Sequence, residues 1–416
     1  MPTLLAVNNY YYSRGGAETV FFGHNRLFEA AGWNVVPFAM KHPKNFATPW
    51  SRFFVDEIEF GGEYSLGQKL ARAPKVIYSF EARAKLKRLL AEVDVDICHA
   101  HNLYHHISPS ILGLLKARGI PVVLTLHDLK IACPAYNMLA PDGVCERCRG
   151  GRLYNVVVHK CIKGSTALSG LVMLEAVLHR LLGSYRDCVS RFIVPSRFYI
   201  EKLVEWGMPR ALFQHVPNFV DLDRYTPAYT PGSYFVFFGR IAREKGVATL
   251  IKAAAQAGCD LQIIGTGPQL AEMQELAGRL KANVSFRGHL SGDALHDAIR
   301  NARAAVLPSE WYENAPMSVL EAYALGKPAI GARIGGIPEL IQEGVTGFTF
   351  PSGDHRKLAE VLTGMVERPV FEIEAMGRAG RQWVEAHASA PVYRQRMLDA
   401  YRDLGVHHFS YAAGDT

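Results

Sequence analysis

A chain of 416 residues is too long for one ordinary hydrophobic core and predicts two domains of about 150–200 residues each. Apolar residues make up 49% and charged residues 20%, which excludes wholesale disorder. The 46 Lys+Arg against 39 Asp+Glu leave a net charge of +7, favouring anionic partners, yet no dense basic run argues for nucleic acid.

The segment Met1–Asn9 lacks the basic, apolar and small-residue sections of a secretory signal, which predicts a cytoplasmic location, and no apolar run reaches the ~20 residues of a spanning helix. Leu4–Val7 reads as a buried strand and Ala17–Ala31 as a helix closed by Gly32. Gly15 and Gly16 stand at the turn between them. They are either an ordinary tight turn or a place where a helix N-terminus meets a phosphate or sugar. Val35–Phe38, Ile97–Ala100 and Val122–Leu126 are further strands, and Ser108–Arg118 is a helix ended by Gly119.

Beyond the strand Ile97–Ala100 lie His101 and Asn102, with His99, His105 and His106 around them. No carboxylate completes a metal set there, so these residues read as cleft-lining or acceptor-binding groups, His101 foremost. His127 and Asp128 follow the strand Val122–Leu126 at the same sheet edge. Either His127 binds a sugar hydroxyl or it is a structural histidine paired with Asp128.

Cys133, Cys145, Cys148 and Cys161 form a C-x11-C-x2-C-x12-C cluster, an insertion over 133–161. In a reducing compartment that spacing reads as structural zinc, with free thiols, disulfides or an iron–sulfur cluster as alternatives; four thiolates would leave no open position for catalysis. Leu168–Leu182 is an amphipathic helix, interrupted by Glu175, His179 and Arg180, that packs in the core or lies on an anionic membrane surface.

The three prolines near 217–232 mark a linker, which makes 1–216 the first domain and 233–388 the second, with a tail over 389–416. The alternation restarts with strands at Tyr234–Phe238, Leu261–Ile264, Val284–Phe286, Ala304–Leu307, Pro328–Gly331 and Phe348–Phe350. The fold class is therefore α/β, two doubly wound Rossmann-like sheets facing a cleft, and residues just past each strand matter most.

After Tyr234–Phe238 come Gly239, Arg240, Lys245 and Gly246. The two cations face an anion such as a leaving diphosphate, or form a solvated basic loop. After Ala304–Leu307 come Glu313 and, inside a helix expected over Pro316–Leu325, Glu321; these bind hydroxyls, or else Glu313 caps the helix and Glu321 is a surface charge. Gly265 and Gly267 follow Leu261–Ile264 and let backbone approach a bound group. Leu270 stands where a dinucleotide fingerprint needs its third glycine, and no P-loop or nucleophile elbow is present.

Jointly, the G-R-x4-K-G element at Gly239–Gly246 and the E-x7-E element from Glu313 to Glu321 resemble the retaining glycosyltransferases of the GT-B architecture, family 4, of the bacterial polysaccharide type. The resemblance implies a hexose donated by a nucleoside-diphosphate sugar to a glycan or lipid-linked acceptor, with no catalytic metal. It places the diphosphate on Arg240 and Lys245, sugar hydroxyls on Glu313 and ribose on Glu321. The base falls beside Arg287 and His289, and His127 falls at the reacting centre with the Gly15–Gly16 pair lining the cleft. Asn314, Ala315, Met317 and Ser318 complete the donor loop. Here Pro316 replaces a glycine of the usual E-G-F-G, losing a backbone donor. The tail over Ser389–Leu404 is expected to cross back onto the first domain. An epimerase or a silent sugar-nucleotide or glycan-binding protein on the same fold is the alternative.

Overall fold

The computed structural model describes residues 1–57 and 75–406, so the last ten residues of the expected tail lie outside it. Strands β1 (Thr3–Val7), β2 (Asn34–Phe38), β3 (Ile97–Ala100), β4 (Val122–Thr125), a small ribbon of β5 (Leu139–Ala140) and β6 (Gly143–Val144), then β7 (Arg191–Val194) and β8 (Phe213–His215) fill the first half. The second half holds β9 (Tyr234–Phe238), β10 (Asp260–Ile264), β11 (Val284–Gly288), β12 (Ala304–Leu307), β13 (Ala329–Ala332) and β14 (Gly347–Phe350). The two main sheets run β2-β1-β3-β4-β7-β8 and β11-β10-β9-β12-β13-β14. Every neighbouring pair in them is parallel.

Continuous apolar strands such as Thr3–Val7 and Ala304–Leu307 are buried along their whole length, because helices cover both faces of each sheet. Strand order reverses beside the first strand of each sheet, β1 between β2 and β3, β9 between β10 and β12. The loops leaving these two switch points carry Gly15–Gly16 and Gly239–Gly246, which brings the sequence's candidate residues to one cleft.

The helix Ala390–Arg402 crosses back to the first half. Its Tyr393, Met397 and Tyr401 pack with Val20, Phe28, Trp33 and Ile97, and Tyr393 stacks on Phe219 at 4.2 Å. The helix Thr166–Leu181 packs in the core as one of the two expected alternatives has it, but through a mixed face: Val172 joins Ala135, Leu153 and Val156 in a small apolar cluster, while Ser169, Glu175 and His179 are buried beside it. Glu175 is fully buried and accepts from Lys130 Nζ at 2.9 Å, and His179 donates to the Ile77 carbonyl at 2.6 Å, while Leu174, Leu181 and Leu182 are exposed. Specific ionic and hydrogen-bond partners from distant chain positions outweigh the apolar count of this helix. Among the described residues, no helix is long and apolar enough to cross a membrane.

Four imidazoles run through the core of the first half. His24 joins Tyr393 Oη at 3.1 Å and Tyr401 Oη at 3.0 Å, and His99 joins Tyr401 Oη at 2.5 Å and Thr125 Oγ1 at 2.7 Å. His101 Nδ1 lies 2.8 Å from His127 Nε2. Burial, helped by each ring's histidine neighbours, holds His24, His99 and His101 well below the ordinary value, so all three are neutral. In the unfolded chain they protonate near pH 6.5; the folded state therefore loses stability as pH falls below that value. The urea midpoint is expected to drop between pH 7 and pH 5 by at least about 2 kcal/mol of stability. A midpoint flat across this range would mean that the rings are hydrated.

Candidate active site

The loop after β9 is tied to the loop after β12. A 3-10 turn, Arg243–Lys245, is closed by Gly246 at φ +65°, where a Cβ would meet the Pro308 carbonyl oxygen at 1.9 Å. Only glycine lets these two loops cross so closely. The crossing sets Lys245 Nζ 2.6 Å from Glu313 Oε1, and Ser309 Oγ donates to the same oxygen at 2.8 Å. Burial raises the Glu313 pKa, but the Lys245 ammonium and these hydrogen bonds outweigh it and hold the group below the usual carboxylate range. Glu313 is thus an ionised, nearly buried acceptor beside a cation.

Arg240 is 63% exposed and pairs with Glu244 four residues on. A surface pair of this kind is weak and screened by salt, so the guanidinium is open to exchange its carboxylate for another anion at little cost. The helix Met317–Ala324 opens at Pro316, with no side-chain cap, and its first amides are left for an anion or hydroxyl. Glu321 projects from this helix half-buried and with no hydrogen-bond partner among the described residues, and burial pushes its pKa up to about 7. An unpartnered carboxyl in a desolvated place awaits donors such as vicinal hydroxyls.

Several expected residues take other roles. A Cβ on Gly265 would lie 1.9 Å from the Gly239 carbonyl oxygen, and one on Gly267 would lie 2.1 Å from that of Ile241. These two glycines serve backbone crossing within the protein. Asn314 spends its side chain across the cleft, donating to the Leu126 carbonyl at 2.8 Å and accepting from Ser196 Oγ at 2.8 Å, while the Ala315 carbonyl accepts from Asn218 Nδ2 at 2.9 Å. Arg287 lies within the edge strand β11, and it and His289 are exposed at that outer edge. Met317 and Ser318 stay half-buried at the helix start, and a Cβ on Gly16 would sit 3.8 Å from Met317 Cγ. The Gly15–Gly16 turn therefore faces the donor loop.

On the first-domain side, His101 is 1% exposed and His99 is likewise buried, so neither touches an acceptor; both nitrogens of His99 and Nδ1 of His101 are engaged inside the core. Asn102 is half-buried, with its backbone N–H donating to Asn8 Oδ1 at 3.0 Å. His127 is half-buried at the cleft, and burial lowers its pKa to about 4. It pairs with His101 instead of Asp128, whose Oδ1 accepts from Lys130 N at 2.9 Å and Tyr104 Oη at 3.3 Å. Burial raises the Asp128 pKa to about 6.

The four cluster cysteines are free thiols. Burial, with a smaller contribution from neighbouring thiols of the cluster, pushes Cys133 up to about 12 and Cys148 up to about 11; the amides of Met138 and Ala135 donate to the Cys133 sulfur. As they stand, no three His, Cys, Asp or Glu side chains among the described residues are arranged to hold a metal ion. The loop they belong to does reach across the cleft. Arg243 donates to the Pro141 carbonyl, and Glu146, between Cys145 and Cys148, accepts from Tyr312 Oη and Lys202 Nζ, each at 2.8 Å.

Sequence reasoning missed Gly335 and Gly336. A Cβ on Gly335 would lie 2.3 Å from the Glu313 carbonyl oxygen, and Gly336 N donates to that oxygen at 2.8 Å. The signal was present, since a glycine pair shortly after β13 is the same pattern that marked Gly15–Gly16. Ser309 and Tyr199, whose Oη donates to the Tyr312 carbonyl at 2.9 Å, had no such local mark.

Two family models match the chain: Glycosyltransferase Family 4 over residues 14–224 and Glycosyl transferases group 1 over residues 223–383. Alpha-maltose-1-phosphate synthase of Mycobacterium tuberculosis is 31% identical over 74% of this chain and 79% of its own length. A GDP-mannose-dependent mannosyltransferase of Corynebacterium glutamicum, named for a monoacylated phosphatidylinositol monomannoside, is 30% identical over 45% of this chain; the match spans about half, 55%, of that relative. Sucrose-phosphate synthase of Thermosynechococcus elongatus superposes with a TM-score of 0.72 at 20% identity, covering 97% of this chain and 99% of that one. HepE of Anabaena, solved with UDP, superposes with a TM-score of 0.67 at 17% identity, covering 97% and 100%. At these identities the likeness shows the GT-B fold.

Proposed function

The chain belongs to glycosyltransferase family 4, and from that premise we propose that it transfers a hexose, with retention of configuration, from a nucleoside-diphosphate sugar to a glycan or lipid-linked acceptor. The observation that carries this reading is the convergence at one sheet edge of Lys245 on Glu313, Arg240 on a displaceable surface partner, and Glu321 with no partner among the described residues. Arg240 and Lys245 neutralise the diphosphate as it leaves. Glu313, kept ionised, accepts from sugar hydroxyls, and Glu321 accepts from the ribose. Neither carboxylate serves as a covalent nucleophile, because both are on the nucleotide side of the cleft. The incoming hydroxyl loses its proton to the departing phosphate oxygen.

Several supports favour a lipid-linked acceptor at the cytoplasmic face of a membrane. The Corynebacterium relative is named for a glycolipid acceptor. In this chain the exposed Val158, Leu174, Leu181 and Leu182 share the region that follows Arg149 and Arg152, and the net charge is +7. Exposed apolar side chains on a chain of net positive charge suit anionic lipid. For the cysteine loop the proposal is a structural zinc: sulfurs within electrostatic reach of one another, one already accepting two backbone N–H groups, suit thiolates once a divalent cation binds. Elemental analysis is expected to give about one zinc per chain, and metal-free protein with an unchanged melting temperature would exclude the site.

The functional test is incubation of purified protein with labelled UDP-, GDP- and ADP-sugars, with and without membrane lipid extract. The expected product is a glycolipid or glycan whose new linkage keeps the donor's anomeric configuration by NMR. Free donor carrying an inverted sugar centre would show an epimerase, and unchanged donor that still raises the melting temperature would show a binding protein.

A further inference from the structure

His127 is half-buried at the cleft, one residue beyond the Leu126 carbonyl that accepts from Asn314 of the donor loop. Its chemistry depends on which ring nitrogen carries the proton. Its Nε2 lies 2.8 Å from His101 Nδ1, with the two ring planes within 21° of each other. One of these nitrogens donates and the other accepts. The choice is settled behind His101, where no substrate reaches.

His101 Nε2 is buried and has no hydrogen-bond partner among the described residues. The two other imidazoles packed on the His101 ring, His99 at 4.8 Å and His24 at 6.0 Å between centroids, are already committed. His99 uses Nδ1 on Tyr401 and Nε2 on Thr125, and His24 uses Nδ1 on Tyr393 and Nε2 on Tyr401. The Phe21 ring stands edge-on to His101 at 5.3 Å and provides at most a weak π contact. A proton on His101 Nε2 would therefore be an orphaned buried donor, which folded proteins almost never retain, whereas an unused lone pair there is better tolerated. A doubly protonated His101 is excluded, because burial first, and then His99 and His127, hold it well below the ordinary pKa.

The geometry points to His101 as a positioning residue: carrying its proton on Nδ1, it donates to His127 Nε2 and so fixes His127 as the Nδ1–H tautomer. No protein group takes His127 Nδ1 among the described residues, and on the reading given under Proposed function this N–H is what the reacting centre meets. His127 then donates a hydrogen bond to a substrate oxygen, a hydroxyl of the transferred sugar. With Nε2 occupied by His101 and Nδ1 already protonated, it has no lone pair for an acceptor hydroxyl. It is therefore excluded as general base, and the proton of that hydroxyl leaves with the phosphate oxygen.

The test does not depend on turnover. In unaltered protein selectively labelled with 15N-histidine, long-range proton–nitrogen correlation at pH 7.5 distinguishes pyrrole-like from pyridine-like ring nitrogens. His127 is identified by its loss in His127→Gln. The expected pattern is a pyrrole-like Nδ1 and a pyridine-like Nε2 for both His101 and His127. A pyrrole-like Nε2 on either ring overturns the assignment, whatever the protein's activity. In the transferase assay, His101→Asn keeps an N–H donor near the position of Nδ1 and should retain kcat within a few-fold. His101→Leu should lower kcat about 10–100-fold with the donor KM little changed. Equal losses in both variants, at matched melting temperatures, would show that the ring acts by packing alone. A transferase assay that finds no product at all would instead strike at the proposed function and leave the tautomer result standing.

Discussion

Replacing Arg240 with alanine is expected to lower kcat by about 10²–10³-fold while leaving the melting temperature within a degree or two. The side chain is 63% exposed and its protein partner is the neighbouring Glu244, so the fold loses almost nothing when it goes. What goes is a planar cation placed to meet the charge that a diphosphate acquires on departure, a contribution of about 2–4 kcal/mol. Lysine at 240 should recover only part of the rate, because an ammonium lacks the two-pronged geometry that matches phosphate oxygens. Lys245 is a less clean target. Removing it would also leave Glu313 buried without its cation, a stability cost of about 3–5 kcal/mol that would confuse the kinetic result. Full turnover in the Arg240 variant would remove the diphosphate from this loop.

Replacing Glu321 with glutamine is expected to move stability and binding in opposite directions. Burial raises its pKa to about 7, above the value near 4.5 of an open chain. Between those two values the folded protein binds the extra proton, so folding loses stability as pH rises through the window, and the loss is complete above pH 7. Glutamine carries no charge to desolvate. The variant should therefore melt higher than the parent at pH 8, by roughly 2–3 kcal/mol of stability, and match it at pH 4.5. Its affinity for the nucleotide should meanwhile fall about tenfold or more, since an amide oxygen is a weaker acceptor for ribose hydroxyls than a carboxylate. Melting curves at the two pH values, with and without nucleoside diphosphate, measure both effects. A variant less stable at pH 8 would mean that the carboxylate has a cationic partner in the fold.

Much of this site could be read in the sequence because parallel sheets deliver the residues after their strands to one edge. Arg240, Lys245, Glu313 and Glu321 follow β9 and β12, so their place at that edge was legible from apolar runs and local spacing, while their roles were implied only by the resemblance to family 4. The Gly15–Gly16 turn was legible for the same reason. The roles that could not be read depend on partners far away in the chain. Asn314 is committed to Leu126, 188 residues away, and His99 to Tyr401, 302 residues away. No periodicity within a window of a dozen residues carries such a pairing. The helix Thr166–Leu181 shows the same limit from the other side, because its polar face is buried through a lysine, 45 residues from Glu175, whose partner no local pattern names. Gly265 and Gly267 looked like ligand-facing glycines; the Cβ that each lacks would strike another backbone, a fact that only the crossing of two loops reveals.

The most direct measurement is the electron density of the protein crystallised with a non-hydrolysable nucleoside-diphosphate hexose. The two phosphates are expected between Arg240 and Lys245, the hexose hydroxyls against Glu313 with His127 Nδ1 within hydrogen-bond reach of one of them, and the ribose on Glu321. Density for the diphosphate at any other strand edge, with Arg240 still paired to Glu244 and Lys245 still on Glu313, would contradict it.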